Sequence, residues 1–376
     1  MTQNSRSGSS GERVGDGRFR AAAHVLEQAI GAGAFPAAVA EVGTATRPLW
    51  NQAFGRLTFA ADARRTTAET IFDLASLTKV LATTALVMQQ VERGAIGLDD
   101  RVAEHVDGWR GDDRSDVTLR DLLAHCSGLP AYAPLFRERA GRTPFEQAIC
   151  EMPLEYPPRA TSVYSDLGFI LLGFVLERDV PLSARFDALR SQMAVVEDLQ
   201  FNPPPLWVSR TAPTEFDGWR GRLLVGEVHD ENAAALGGVA GHAGLFGTAA
   251  AVGQAARHLL QVLDGRVGAF AAGTVREFIA RRADIPGSSR ALGWDTMLPS
   301  SSCGGRMSPR AFGHTGFTGT SLWIDPDRGV YVVLLTNRVH PTRANEAIRQ
   351  VRPLFHDAVM EGLGELHATP PAGHLG

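Results

Sequence analysis

The sequence predicts one discontinuous α/β domain that carries an inserted, mostly helical region. Helical and strand patterns occur together at both ends of the 376-residue chain, while its middle mixes helical patterns with long Pro-rich loops. A chain of this length also buries a large core without disulfides or metal. The α/β part is expected over about 18–75 and 233–366, and the helical part over about 76–232. A Ser/Gly/Arg-rich stretch over 1–17 and a polar stretch over 367–376 read as flexible tails.

Each element has a local cause. Phe19, Ala22, Val25, Leu26 and Ala29 recur at helical spacing between Arg18 and Ile30, and Gly31 and Gly33 end the pattern. Pro36–Val42 and Pro48–Phe54 read as a hairpin about the turn Gly43–Arg47. Phe72–Ala75 leads into a long helix, Ser76–Arg93, with Gly94 as its C-cap. That helix is apolar nearly all round (Leu77, Val80, Leu81, Leu86, Val87, Met88), so it belongs inside the protein. Helical patterns return at Leu119–His125, Phe145–Cys150 and Leu167–Glu177, with Pro203–Pro205 in a loop. Ala233–Leu263 is rich in small residues and helical after Thr248. Thr318–Ile324 and Val330–Thr336 form a hairpin about Asp325–Gly329, and a helix from about Arg343 to Leu363 closes the fold.

Composition excludes several classes. A net charge of −4 lacks the basic footprint that nucleic acid or an anionic membrane requires, so neither is an expected partner. Cys126, Cys150 and Cys303 form no CxxC pair and no disulfide framework, which suits a reducing compartment. Met1–Arg20 has no apolar signal-peptide core, and no run reaches the length of a membrane span; a soluble, cytoplasmic protein is expected. Of the 37 basic residues, Lys79 alone is lysine and the rest are arginine. Arginine serves equally well as a surface cation but cannot act as a base, so the lone amine marks this position.

Ser76 and Lys79 stand three apart at the start of the apolar helix, which brings Oγ and Nζ within reach. The positive helix terminus and burial both disfavour an ammonium, so Lys79 is expected as a neutral amine able to take the serine proton. The plainer alternative is a solvated turn. Tyr164-Ser165-Asp166 precedes the helix at Leu167; a phenol there can relay a proton, or it can be packing beside an N-cap. His314-Thr315-Gly316-Phe317 opens the penultimate strand, where a glycine lets a ligand lie close and a free N–H can hold an oxyanion. His229-Asp230-Glu231-Asn232 and His242 read as loop-ordering hydrogen bonders in preference to metal ligands. Cys126 reads as a buried structural thiol, and Trp219, Trp294 and Trp323 as core or cleft lining.

S-x-x-K, Y-S-D and H-T-G, in that order and about 90 and about 150 residues apart, resemble the motifs of the serine β-lactamase and penicillin-binding hydrolase superfamily. The nearest likeness is to its class C-related branch, which includes DD-peptidases, D-aminopeptidases and esterases. Phe72-Asp73-Leu74-Ala75, Leu122–Pro130 (LLAHCSGLP) and Gly241–Phe246 (GHAGLF) resemble that branch as well. The resemblance implies a DD-peptidase/β-lactamase-like fold, an antiparallel sheet flanked by helices. It implies Ser76 as acyl-forming nucleophile, Lys79 as general base, Tyr164 as proton relay and His314 in place of the commoner lysine. It further implies an oxyanion hole from the N–H groups of Ser76 and Phe317, substrate contacts at Asp166, Thr315 and Gly316, and neither cofactor nor metal. Asp166 departs from the commoner asparagine: a carboxylate cannot donate to a substrate carbonyl, and in contact with Lys79 it would keep that amine protonated. The expected function is acyl-enzyme hydrolysis of small esters or amides, with small-molecule acyl substrates as partners and possible β-lactamase or D-peptidase side activity. The rivals are a non-catalytic ligand sensor or assembly protein, and a metal-dependent hydrolase. Oligomeric state is not legible.

Overall fold

The computed structural model describes residues 17–364; the expected tails lie outside the described residues, apart from Gly17, which opens a single 3-10 turn. From there run α1 (Arg20–Gly31), β1 (Ala37–Thr44), β2 (Pro48–Gly55) and β3 (Phe72–Asp73). A π-helical segment, Lys79–Thr84, continues into α2 (Ala85–Glu92). The helical middle holds α3 (Leu119–Leu123), α4 (Arg142–Glu151), α5 (Asp166–Leu176) and α6 (Leu182–Gln192). Three short strands, β4 (Leu199–Phe201), β5 (Phe216–Asp217) and β6 (Arg222–Leu223), lead to α7 (Glu231–Ala235) and β7 (Leu245–Gly247). The chain ends in α8 (Ala249–Leu263), α9 (Ala272–Ile279), β8 (Asp295–Thr296), β9 (Phe312–Thr315), β10 (Ser321–Asp325), β11 (Val330–Thr336) and α10 (Ile348–Gly364).

Among the described residues, six strands form the main sheet in the order β2-β1-β11-β10-β9-β8, with every neighbouring pair antiparallel. Its central strands are buried on both faces, because alternate residues feed two separate cores. Val39, Val333 and Leu335 point into one core with Val252, Ala255 and Ala256 of α8. Ala38, Ala40, Val332 and Leu334 point the other way, against Leu26 of α1 and Phe355 and Val359 of α10. This is why the strands read as continuous apolar runs instead of alternating ones. The same core that α8 enters extends around α5, whose residues Leu167–Leu176 are all buried.

Three local expectations are corrected. The helix at Ser76 is not a uniform α-helix: its first buried turns are π-helical over Lys79–Thr84. His314 and Thr315 do not open the penultimate strand; they close β9, and the turn 316–320, with Gly319 at φ 109°, separates them from β10. The closing helix begins at Ile348, not near Arg343, because Arg343 is committed elsewhere: its backbone N–H donates to Glu215 (2.8 Å) and its guanidinium pairs with Glu215 and Glu231.

Candidate active site

The nucleophile candidate sits where two segments are tied together. Asp73, fully buried, accepts the N–H groups of Ala75 (2.8 Å) and His229 (2.6 Å), and Ala75 takes a positive φ of 48°. That bend delivers Ser76 at the mouth of the helix. On the opposite side, Thr318 donates to the Asp73 carbonyl (2.7 Å) and Thr320 to the Leu74 carbonyl (3.0 Å). These two hydroxyls fix the turn after β9 against the segment before Ser76. Gly316 permits the approach: a Cβ there would press into Thr320 Oγ1 and lie 2.6 Å from the Leu74 carbonyl oxygen. Gly316 N–H is used within the turn, bonding Thr320 O, whereas the N–H groups of Ser76 and Phe317 have no acceptor among the described residues. Both amides therefore remain available to an oxyanion.

Lys79 is fully buried and reaches three oxygens: Ser76 Oγ at 2.9 Å, the His242 carbonyl at 3.1 Å and Asp166 Oδ1 at 2.7 Å. Proximity of Oγ and Nζ matches the spacing read from the sequence. The charge does not. Burial alone would push the amine's pKa down, but the Asp166 carboxylate, with Tyr164 beside it, more than offsets this and holds Lys79 above its ordinary value. The ammonium donates to the Ser76 hydroxyl and the His242 carbonyl and has the Asp166 carboxylate as its ion-pair partner. The expectation of a neutral resting Lys79 is thus overturned, and the cause is the contact that aspartate at 166 makes possible.

Ser165 caps α5: its hydroxyl accepts the Gly168 N–H and donates to the Pro130 carbonyl (2.6 Å). The capped start places Asp166 against Lys79 and Tyr164 over it, with Nζ 4.9 Å from the Tyr164 ring centroid. The Tyr164 hydroxyl is buried beside Ser76 and Lys79 without a well-aligned hydrogen bond to either. Burial raises its pKa, against the pull of the Lys79 charge.

Two histidines flank Tyr164. His125 lies 4.7 Å from its ring centroid and His314 5.7 Å. His125 Nδ1 accepts the Ser165 N–H (3.0 Å), so its proton sits on Nε2; His314 Nδ1 donates to the Thr315 carbonyl (2.8 Å), so its Nε2 carries a bare lone pair. Both Nε2 atoms are buried without a partner. Burial first, then the positive charge of Arg290, pushes both pKa values well below the usual imidazole range, and both rings are neutral. The other loop histidines do as expected: His242 bonds Asp230 (2.8 Å) and His229 bonds Glu215 (2.9 Å). Cys126 is buried against Asp121, and burial pushes its thiol up to about 12. Trp294 and Trp323 are core residues, while Trp219 is half exposed beside Phe136.

His125, Arg290 and Arg352 are neighbours that the motif reading passed over. His125 was present within the Leu122–Pro130 segment, but only its partner Ser165 shows what it orders. Arg290 and Arg352 carry no sequence signal, being two arginines among many.

The profile of the Beta-lactamase family matches residues 22–354, and the chain belongs to that family. A "Putative D-alanyl-D-alanine carboxypeptidase" of Salmonella gallinarum is 31% identical over 323 residues, covering 76% of this chain and 73% of that protein. Among solved structures, EstCE1, a hydrolase with promiscuous acyltransferase activity, superposes with a TM-score of 0.72 at 20% identity, over 91% of this chain and 98% of its own. A class C beta lactamase from Rhodobacter sphaeroides gives 0.70 at 20% identity, over 92% and 99%. The fold is the β-lactamase/penicillin-binding one implied by the three motifs, and the protein is a serine hydrolase that works through an acyl-enzyme. Among the described residues no helix is long and apolar enough to cross a membrane.

Proposed function

We propose that Ser76 is the acyl-forming nucleophile of this hydrolase and that its substrates are small esters or amides. One observation carries the assignment: Ser76 Oγ lies 2.9 Å from a buried lysine and opens onto a cavity of about 350 Å³ that also contains Tyr164, His314 and Phe317. The reactive state is the minor one in which Lys79 has lost a proton. Its two remaining protons stay on the His242 carbonyl and Asp166, which turns the lone pair toward Ser76 Oγ. Lys79 then takes the serine proton as Oγ attacks the carbonyl carbon, and the N–H groups of Ser76 and Phe317 hold the oxyanion. Tyr164, between Lys79 and the cavity, passes that proton to the leaving oxygen or nitrogen as its bond to carbon breaks. Water repeats the sequence in reverse roles and releases the acid, restoring the Ser76 hydroxyl.

Neutral His314 packs beside Tyr164, with ring centroids 5.7 Å apart, and places no second cation next to the phenol. Thr315 and Gly316 line the cavity that takes the substrate, whereas Asp166, expected as a substrate contact, is engaged with Lys79 instead. The cavity's size favours small acyl compounds over polymers. Three buried, unpaired cysteines support the earlier assignment to a reducing compartment.

The test is covalent labelling with a fluorophosphonate, with the adduct mapped by mass spectrometry, followed by hydrolysis of short-chain esters, a D-amino-acid peptide and a cephalosporin. Labelling at Ser76 and turnover of esters are expected. A folded, active protein that never labels there would overturn the assignment of Ser76 as the nucleophile.

A further inference from the structure

A buried cation holds the turn that carries the Phe317 amide from behind. Arg352 projects from α10, and its Nη2 donates to the carbonyls of Gly316 (2.7 Å) and Thr320 (2.8 Å). These carbonyls stand at the two ends of the turn, where Thr320 O also accepts the Gly316 N–H (2.7 Å). Among the described residues Arg352 has no carboxylate within ion-pair reach, and its buried Nε has no partner. Burial, then repulsion from Arg338 and Arg349, pushes Arg352 down to about 9, which leaves it a cation at neutral pH. His356, one helical turn further along α10, supplies no compensating charge: burial, then the charge of Arg352, pushes its ring down to about 3. A buried guanidinium without a counter-ion is unfavourable, and bonds to carbonyls offset only part of that. The turn does not need the charge to keep its shape. Its ends already bond each other, and the Thr318 and Thr320 hydroxyls already anchor it to the carbonyls of Asp73 and Leu74.

The Gly316 carbonyl and the Phe317 N–H belong to one planar, trans peptide group, so the oxygen held by Arg352 and the hydrogen offered to an oxyanion point in opposite directions. We propose that Arg352 is a positioning residue for the oxyanion hole: it fixes the plane of this peptide and, as a cation on its carbonyl end, strengthens the Phe317 N–H as a donor. Two effects combine. A peptide next to glycine can turn over, which would aim its carbonyl at the reacting oxygen; a charge-assisted bond on the far side opposes that rotation. Hydrogen bonds in series also polarise one another, so a cation on the carbonyl draws electron density away from the N–H. Both effects favour the tetrahedral state over the bound ester, because only the former carries a full negative charge on that oxygen. Arg338 plays a different part. Its Nε donates to the Phe317 carbonyl (2.7 Å) and its guanidinium lies 4.3 Å from the Phe317 ring centroid, so it holds the following peptide and not the one that bears the Phe317 N–H. The role of Arg352 rests on the function proposed above, with Ser76 as nucleophile and the Phe317 amide in the oxyanion hole.

Arg352→Gln, Arg352→Met and Arg352→Lys test it at neutral pH. For each, stopped-flow acylation by p-nitrophenyl acetate gives the acylation rate constant and the substrate dissociation constant. The inhibition constant of phenylboronic acid, which becomes a tetrahedral anion only on joining Ser76 Oγ, reports the oxyanion hole separately. Arg352→Gln should slow acylation and weaken the boronate by the same factor, about 10- to 100-fold, with the substrate dissociation constant changed by less than about 3-fold. Arg352→Met fills the same buried space without charge and should show at least that loss, so it carries the test where the glutamine variant does not fold. Arg352→Lys, which restores the cation, should recover most of both. A folded neutral variant that acylates and binds phenylboronic acid within about 3-fold of wild type would overturn the proposal, as would a loss confined to substrate binding. A folded lysine variant as impaired as the neutral ones would overturn it too, since shape and not charge would then matter. Failure of the wild type to label at Ser76 and to bind phenylboronic acid would instead remove the nucleophile assignment on which this role rests.

Discussion

Replacing Asp166 by asparagine isolates the charge that keeps Lys79 protonated. The carboxylate lies 2.7 Å from Nζ, and at an effective dielectric of about 20 that contact is worth about 6 kcal/mol. Asparagine keeps an acceptor oxygen but removes the charge, so burial is left to act on Lys79 and its pKa should fall in the variant. In the wild type, kcat/KM should climb with pH through the neutral range, because the base is set free only as pH approaches a lysine pKa held above its ordinary value. In Asp166→Asn the climb should move to lower pH, and activity at about pH 7 should exceed wild type by about 10-fold or more. The assay is a full pH–rate profile on one ester, with the burst of acyl-enzyme formation measured separately.

A second readout comes from stability. In the wild type the raised Lys79 pKa contributes stability that is present below the unfolded lysine value and lost as pH rises through the folded one. In the variant an unpaired buried lysine has a depressed pKa, so stability drops as pH falls below about 10, by up to about 1.4 kcal/mol per pH unit until the new pKa is reached. The gap between the two proteins should widen toward acid. A variant that loses activity at every pH with no change in the profile would refute the reasoning and make Asp166 the proton acceptor itself.

Lys79→Arg keeps the cation but removes the releasable proton, so turnover should fall by about three orders of magnitude or more; a loss under about tenfold would end the base assignment. Tyr164→Phe deletes a hydroxyl without a well-aligned hydrogen bond, so kcat should fall by about 10²-fold while the unfolding free energy changes by about 1 kcal/mol or less. An unchanged rate would leave Tyr164 a packing residue. Gly316→Ala drives a Cβ into Thr320 and the Leu74 carbonyl, displacing the Phe317 amide, and kcat should drop by about 10²-fold, most visibly in acylation. Equal acylation rates in a folded Gly316→Ala protein would remove Phe317 from the oxyanion hole.

The parts legible in the sequence are those whose cause lies within one element. Ser76 and Lys79 are one helical turn apart, so their contact follows from spacing even though the turn is π-helical and not α. The cap of α5 reads from the sequence as Ser165 or Asp166, because the apolar run begins at Leu167, and it is Ser165 that caps. What stayed hidden depends on elements far apart in the chain. Asp166 meets Lys79 from another helix, and the His242 carbonyl arrives from the loop before β7, so the acceptor count that fixes the charge cannot be read from S-x-x-K alone. His314-Thr315 and the apolar run of β10 are close in sequence and read as one strand, whereas the turn at Gly319 makes them two paired strands. Arg343 looked helical by position, yet Glu215 and Glu231 hold it in a turn.

The two charged flanks of the site act on different protons. Asp166 stabilises the cationic form of Lys79, which stores the base in its inactive state and makes the serine silent until that amine is released. Arg290 acts in the opposite sense on the imidazoles: its charge, added to burial, keeps His125 and His314 neutral, so the lone pair on His314 Nε2 survives beside Tyr164. If His314 carried a lysine's positive charge, Arg290 would face a second cation across the Tyr164 ring, since both groups stack on that phenol. A neutral histidine in the third motif and an arginine at 290 are therefore compatible beside one phenol, where two cations would repel.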